Sequence, residues 1–265
     1  MLFSTPLSNY RAMSESSLMA RDDQGLLPEP MPDVSGPPLA NSLRELLTPL
    51  ELVRLLLFWW TLPFHLKGEG KTVLLLPGLG GGERSMFVIR EFLRVLGYRT
   101  YDWGLGRNDG NVVEKMPLVI AEVLRRSSEA GAPIALVGWS LGGYLAREVA
   151  RAYPDAISQV ITLGSPLVGG PKYTATSAFF GRRGLDHDAI EARIAERYRV
   201  PLTVPVTSIY SKGDGVVSWQ ASIDHWSPNA ENIEIYTTHF GFGLSKEVLT
   251  LLAERLAGIA GPTSR

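Results

Sequence analysis

The stretch Pro133-Ile134-Ala135-Leu136-Val137-Gly138-Trp139-Ser140-Leu141-Gly142-Gly143-Tyr144-Leu145-Ala146 decides how this chain is read. Its first part is a short apolar run with strand character, and from Gly142 to Ala150 the composition and spacing are helical. Between them Gly138-Trp139-Ser140-Leu141-Gly142 forms a G-x-S-x-G turn, which holds its serine in a strained conformation with Oγ raised above the sheet. Glycine is needed there because a side chain would collide with the neighbouring strand and helix. A glycine-rich turn with a serine is common on its own. Its place between a buried strand and a small-residue helix favours a nucleophile over a structural turn.

Working outward, Thr72–Leu76 is a fully apolar run of strand length that ends in Pro77-Gly78-Leu79-Gly80-Gly81-Gly82. An amphipathic helix over Arg84–Leu96 follows, closed by Gly97. Then come a strand over Tyr98–Trp103, a helix over Val112–Ala130 and the strand–turn–helix unit. A strand over Ile157–Leu163 leads into Gly164-Ser165-Pro166. Alternation breaks over residues 171–200, where one helix is predicted from His187 to Tyr198. It resumes with strands over Val204–Tyr210 and Ile233–Thr237 and a last helix over Lys246–Ala257. Strands alternating with long helices imply right-handed crossovers and a mainly parallel, doubly wound sheet. In such a sheet function sits at the carboxyl ends of the strands, where every glycine-rich turn noted here falls.

A serine used for acyl transfer needs a base and a group that orients the base. The chain holds only four histidines. His65 precedes the first strand, His187 lies in the irregular insert and His225 in a loop. His239 follows the last strand, which brings it over the turn at Ser140. The acid is expected after the strand before that, at Asp214 in Gly213-Asp214-Gly215, although Asp-Gly is also a common tight-turn pair. Chain order, Ser then Asp then His, favours Asp214 over Asp224, Asp188 and Asp186. Two backbone N–H groups must face the developing negative charge. Leu141, just after the nucleophile, and Leu79, in the turn after the first strand, are the candidates. Arg107 and Asn108 rim the same end and are read as pinning the loop rather than holding substrate.

The set Pro77-Gly78-Leu79-Gly80-Gly81, Gly138–Gly143, Thr162-Leu163-Gly164-Ser165-Pro166, Gly213–Val217 and Thr238–Gly241 resembles the lipase/esterase branch of the α/β-hydrolase family over about residues 70–258. The resemblance implies the α/β-hydrolase fold with a short cap insertion at 171–200. It also implies a triad of Ser140, Asp214 and His239, with Leu79 and Leu141 at the oxyanion-hole positions. Two departures stand out: Pro77 and Trp139 occupy positions where many members carry histidine. Neither removes a catalytic atom. Trp139 and Phe240, with Phe179, Phe180 and Leu185, suggest an apolar acyl pocket.

Composition agrees with one α/β domain: 265 residues, 45% hydrophobic, 20% charged, net charge −1. The even charge balance argues against a nucleic-acid partner. With no cysteine, disulfides and thiolate metal sites are excluded, and neither cofactor nor metal is expected. Residues 1–42, rich in Ser, Pro, Met and Asp and without signal-peptide features, read as a flexible arm. In 43–68, Thr48-Pro49-Leu50-Glu51 has the pattern of a capping box, and Pro63 stops the helix. Its length of about 20 Å falls short of the roughly 30 Å of hydrocarbon, so it does not span a membrane. Leu55–Trp60 is apolar all round, so Leu50–Leu62 packs on the domain, meets a membrane surface or joins a second copy. Residues 69–265 form the catalytic domain. The expected protein is a cytoplasmic serine hydrolase of small-molecule or lipid esters, peripheral to a membrane if Leu50–Leu62 meets one. An acyltransferase and a non-catalytic membrane-associated binding protein are the alternatives.

Overall fold

Residues 34–177 and 186–259 are described in the structure, a computed structural model. The runs that the sequence leaves without polar residues become strands buried on both faces. β1 (Thr72–Leu76) and β3 (Ile134–Trp139) are buried throughout. With β2 (Arg99–Asp102), β4 (Ile157–Leu163), β5 (Val206–Ser211) and β6 (Ala230–Ile235) they form a sheet in the order β2-β1-β3-β4-β5-β6. Every neighbouring pair is parallel.

Alternation of side chains along each strand divides the core into two layers. Val73 and Leu75 of β1, with Val137 and Trp139 of β3, face one layer, which takes Ile89, Phe92 and Leu93 of α3 (Phe87–Val95) and Val248, Leu249 and Leu252 of α7 (Lys246–Leu256). Leu74 and Leu76, with Ile134 and Leu136, face the other. That layer takes Met116, Ile120 and Val123 of α4 (Val112–Ala130) and Leu145 and Val149 of α5 (Leu141–Ala152). The chain leaves β1 toward β2 and returns on the far side of β1 as β3. The topological switch therefore lies between β1 and β3, whose ends carry the turns at Gly78 and Ser140.

Several element limits differ from expectation. The helix expected over Arg84–Leu96 opens as a 3₁₀ turn, Glu83–Met86, before α3. β5 starts at Val206, after Pro205, which has no N–H to donate to a ladder. β6 runs three residues earlier than the apolar signal, as Ala-Glu-Asn-Ile-Glu-Ile at the sheet edge, where one face meets solvent and glutamates are tolerated. Thr237 has left the ladder, and its N–H reaches Ser211 Oγ at 3.1 Å.

The capping box at Thr48 is not formed. Helical structure begins upstream, in α1 (Leu39–Arg44) and a 3₁₀ turn (Glu45–Leu47), and continues into α2 (Thr48–Phe58) without a side-chain cap. The two supposed cap residues point elsewhere. Thr48 Oγ1 lies 2.8 Å from Thr238 Oγ1, and Glu51 Oε1 accepts from Thr237 Oγ1 at 3.1 Å. Of the arm expected over 1–42 only Val34 onward is described, and there Val34 and Asn41 are buried. From α2 and the turn after it only Leu55 and Leu62 enter the core. Leu50, Leu56, Leu57, Trp59 and Trp60 stay exposed.

Close packing at the switch point makes a sharp test. A Cβ on Gly142 would stand 2.1 Å from the Leu76 carbonyl oxygen, whereas one on Gly36 would meet nothing within 4 Å. Gly142→Ala should lower unfolding free energy by about 3 kcal/mol or more, the upper end of overpacking costs, while Gly36→Ala should leave the urea midpoint nearly unchanged.

Candidate active site

Ser140 stands at φ 53° and ψ −122°, between the last residue of β3 and the first of α5. It is one of two non-glycine residues at positive φ among the described residues, and such a conformation persists only where its surroundings enforce it. The enforcement is visible. The Ser140 N–H bonds the Leu163 carbonyl of β4 at 2.8 Å, and a Cβ on Gly138 would lie 2.4 Å from Gly143 Cα. Only glycine lets the strand and the helix approach so closely at this turn.

The turn after β1 lies directly against Ser140: a Cβ on Gly78 would fall 3.1 Å from Ser140 Cβ. Asn108, 1% exposed, fixes this turn. Its Nδ2 donates to the Pro77 carbonyl at 2.9 Å, its N–H to Gly81 at 2.8 Å, and its carbonyl accepts from Gly80 N–H at 2.7 Å. Arg107 Nε adds a bond to the Gly80 carbonyl at 3.1 Å, so both residues pin the loop. Leu141 opens α5, and its N–H is among the first-turn donors that lack an intrahelical acceptor. Leu79 lies half-buried in the fixed turn.

Asp214 and His239 meet. Both are buried, and His239 Nδ1 lies 2.8 Å from Asp214 Oδ2. The other carboxylate oxygen, Oδ1, accepts the N–H groups of Val216 and Val217 at 2.8 and 2.7 Å, which locks the carboxylate plane. The imidazole is walled by rings, with centroids at 6.1 Å for Trp139, 5.7 Å for Phe240 and 6.3 Å for Phe242. With Nδ1 committed to Asp214, Nε2 is the nitrogen left for other work. No hydrogen bond joins the Ser140 hydroxyl to His239 among the described residues. Trp139 is buried and Phe240 is exposed at the rim. Phe179, Phe180 and Leu185 lie outside the described residues.

The rival carboxylates have other partners. Asp224 is buried against Arg147 of α5, with Oδ2 2.6 Å from Nη1. Burial pushes its carboxyl up, but the guanidinium outweighs that and holds it below the usual aspartate value. Burial likewise disfavours the charged Arg147, and the negative groups around it leave its pKa raised. Tyr198, stacked on Trp226 at 4.0 Å, is pushed up to about 12 by burial. Asp188 pairs with Lys172 at 2.8 Å, and Asp186 caps α6 (His187–Tyr198). His225 and His65 are exposed, and His187 opens α6. Among the described residues no three His, Asp or Glu side chains gather where they could hold a metal ion.

One group at the site carried no sequence signal. Glu45, between α1 and α2, accepts the N–H groups of Gly215 at 2.9 Å, His239 at 2.7 Å and Phe240 at 3.1 Å. It is 170 to 195 residues from those partners, and no local pattern announces contacts at that range.

Comparison with known proteins agrees with this fold. The family model described as "Alpha/beta hydrolase family" matches residues 73–254. A curated relative, the pimeloyl-[acyl-carrier protein] methyl ester esterase of Aliivibrio salmonicida, is 28% identical over 152 residues, 57% of this chain and 52% of its own. The chain thus matches about half the length of that relative. Among solved structures, a monoacylglycerol lipase of Paleococcus ferrophilus superposes with a TM-score of 0.53 at 16% identity, covering 73% of this chain and 96% of the lipase. The mouse alpha/beta hydrolase domain-containing protein 10 gives 0.51 at 20%, covering 73% and 91%. At these identities the structural likeness speaks for the fold alone.

The two aspartates should separate cleanly on mutation. Asp224→Asn leaves Arg147 buried without its counter-charge and should cost about 3–5 kcal/mol in urea unfolding. Because the Asp224 carboxyl is held below its ordinary value of 3.8, its stabilisation is complete above that pH and is lost as the pH falls through the lower folded value. The wild-type urea midpoint should therefore fall more steeply under acid than that of Asp224→Asn, measured from pH 6 downward.

Proposed function

The chain belongs to the alpha/beta hydrolase family, and within it we propose a serine hydrolase that cleaves carboxylic esters. The observation that carries the reading is the locked Asp214–His239 pair at 2.8 Å, set at the same sheet end as a serine strained to φ 53°. His239 Nε2 takes the proton from Ser140 Oγ as the oxygen attacks the ester carbonyl carbon. The N–H groups of Leu79 and Leu141 receive the negative oxygen of the tetrahedral intermediate. The intermediate collapses as His239 gives its proton to the leaving alcohol, and an acyl-Ser140 remains. Water then attacks the acyl carbon, His239 accepts its proton, and the acid leaves as Ser140 is restored. Asp214 holds the imidazole tautomer and stabilises the imidazolium at each stage. Hydrogen bonds of this kind are often long before substrate binds, which accommodates the open Ser140–His239 pair.

Trp139 and Phe240 border the imidazole with apolar surface, which supports an apolar acyl group. A lipid ester fits a second observation. Trp59 and Trp60, 55% and 62% exposed, lie at the end of α2 beside exposed Leu56 and Leu57. Paired tryptophans at the rim of an apolar helix face suit the interface of a lipid surface. No helix among the described residues is long and apolar enough to cross a membrane, so the contact would be peripheral. An acyltransferase would share every step up to acyl-Ser140 and use an acceptor alcohol in place of water. Added acceptor at millimolar level then diverts product to the new ester.

A fluorophosphonate probe should label the wild-type chain and fail to label Ser140→Ala. The same variant should lose at least about 10³-fold in kcat on a p-nitrophenyl ester, as serine nucleophile removals do, with its urea midpoint kept. Retained turnover would move the nucleophile elsewhere. Trp59→Ser combined with Trp60→Ser should reduce flotation with phosphatidylcholine vesicles while leaving kcat on the soluble ester unchanged. Equal flotation of the two proteins would remove the lipid contact.

A further inference from the structure

The acid and the base sit on two loops, 212–215 after β5 and 237–240 after β6. β6 is the edge strand of the sheet, so no further strand supports the second loop from its outer side. The two loops touch each other through few groups: the Asp214–His239 bond, and Ser211 Oγ, which donates to the Thr237 carbonyl at 2.6 Å. What closes the outer side is a segment from the far end of the chain. Asn41 Nδ2 donates to the carbonyls of Lys212 at 2.7 Å and Asp214 at 3.3 Å, and Ser42 Oγ donates to the Gly215 carbonyl at 2.9 Å. Thr48 Oγ1 meets Thr238 Oγ1 at 2.8 Å. Gly215 is pressed so near that a Cβ on it would stand 2.3 Å from the Asn41 carbonyl oxygen.

Between these contacts lies Glu45. Its Oε1 accepts from the residue after the acid and from the base itself, and its Oε2 from the residue after the base. One carboxylate thus spans both loops. Hydrogen bonds from N–H to a charged oxygen are roughly twice as strong as neutral ones, and two of these three share one oxygen. Fixing the N–H of His239 fixes the backbone from which its imidazole projects. Fixing Gly215 fixes the turn whose N–H groups lock the Asp214 carboxylate. Resting on the ester-hydrolase reading above, we propose that Glu45 is a positioning residue, a staple from the 39–51 helical segment that holds the catalytic acid and base in register with each other. It touches neither substrate nor the reacting atoms, and acts through the main chain of Asp214's and His239's loops.

The test uses the full chain with Glu45→Ala, Glu45→Gln and Arg54→Ala. Arg54 lies further along α2 and pairs with Glu247 at 2.7 Å in an exposed bridge, so Arg54→Ala loosens the helix that continues from the segment without touching the staple. On p-nitrophenyl acetate, Glu45→Ala should lose about 10²-fold in kcat with KM little changed, the size of effect expected when catalytic groups drift by about an ångström. Glu45→Gln should fall between, since its amide oxygen can still accept from Gly215 and His239 while its NH2 opposes the Phe240 N–H. Arg54→Ala should keep wild-type kcat. A second readout is independent of turnover: the low-field proton resonance of His239 Nδ1–H bonded to Asp214, identified by its absence in His239→Ala. That resonance should broaden or vanish in Glu45→Ala and persist in Arg54→Ala. Wild-type kcat and an intact resonance in Glu45→Ala would overturn the proposal. So would a kcat loss that only follows the fraction unfolded by circular dichroism. If Glu45→Ala does not fold, an unchanged kcat and resonance in Glu45→Gln overturns it instead. A wild-type chain that fluorophosphonate does not label would sink the ester-hydrolase reading, while the resonance still reports on the staple.

Discussion

The first turn of α5 lies against the carboxyl end of β1 so closely that a Cβ on Gly142 would stand 2.1 Å from the Leu76 carbonyl oxygen. This contact sets the site. With α5 pressed into the switch point between β1 and β3, the chain must reverse within one residue, and that residue is Ser140 at φ 53°. A left-handed serine is costly by roughly 1–3 kcal/mol, and the packing of two buried core layers around it is what keeps the cost from being relaxed away. The same approach brings the Gly78 turn against Ser140 and gives the Leu141 N–H its place at a helix start. The strained Ser140 and the candidate anion donors beside it are therefore consequences of one backbone contact rather than separate inventions.

Asp214 and His239 have a different kind of support. Nothing as rigid as a buried strand-to-helix turn holds them; they hang on loops at the outer half of the sheet, and polar bonds do the holding. Many of those bonds come from residues 41–51. The inward side of that segment is polar and meets the loops, while its outward side carries the exposed Leu43, Leu46, Leu47 and Leu50. Apolar area left in water forgoes about 25 cal/mol for each Å² that burial would remove. The segment therefore joins a surface disposed to be covered with the loops that carry Asp214 and His239.

How much of this could be read from the sequence depends on the range of the interaction. The glycine turn at 138–142, the apolar strand at 72–76 and the order of Ser140, Asp214 and His239 are local or ordinal features, and periodicity and chain order suffice for them. The apolar signal puts β6 three residues late, because an edge strand solvated on one face carries Glu231 and Glu234 where an apolar run marks a buried strand. Thr48 and Glu51 have the spacing of a cap, yet their side chains bond Thr238 and Thr237, some 190 residues away, since the helix does not begin there. Glu45 is the extreme case. A glutamate after an arginine in a helical run looks like any solvated side chain until the fold brings three N–H groups to it.

The aspartates show the same limit at closer range. In each of Asp186, Asp214 and Asp224, Oδ1 accepts the N–H groups two and three residues further on. All three are locally the same object, a short carboxylate closing its own turn, as the residue type favours. What separates them is where the fold puts Oδ2. Asp186 stays exposed at the start of α6 and acts as a helix cap. Asp224 is turned into α5 and meets Arg147 in a buried charged pair. Asp214 alone has Oδ2 delivered to an imidazole. A guanidinium gives Asp224 no nitrogen that can take up a proton, whereas an imidazole has a second ring nitrogen that can. Only the second arrangement can take part in a proton transfer and return to its starting point, and the choice between them is made by tertiary structure.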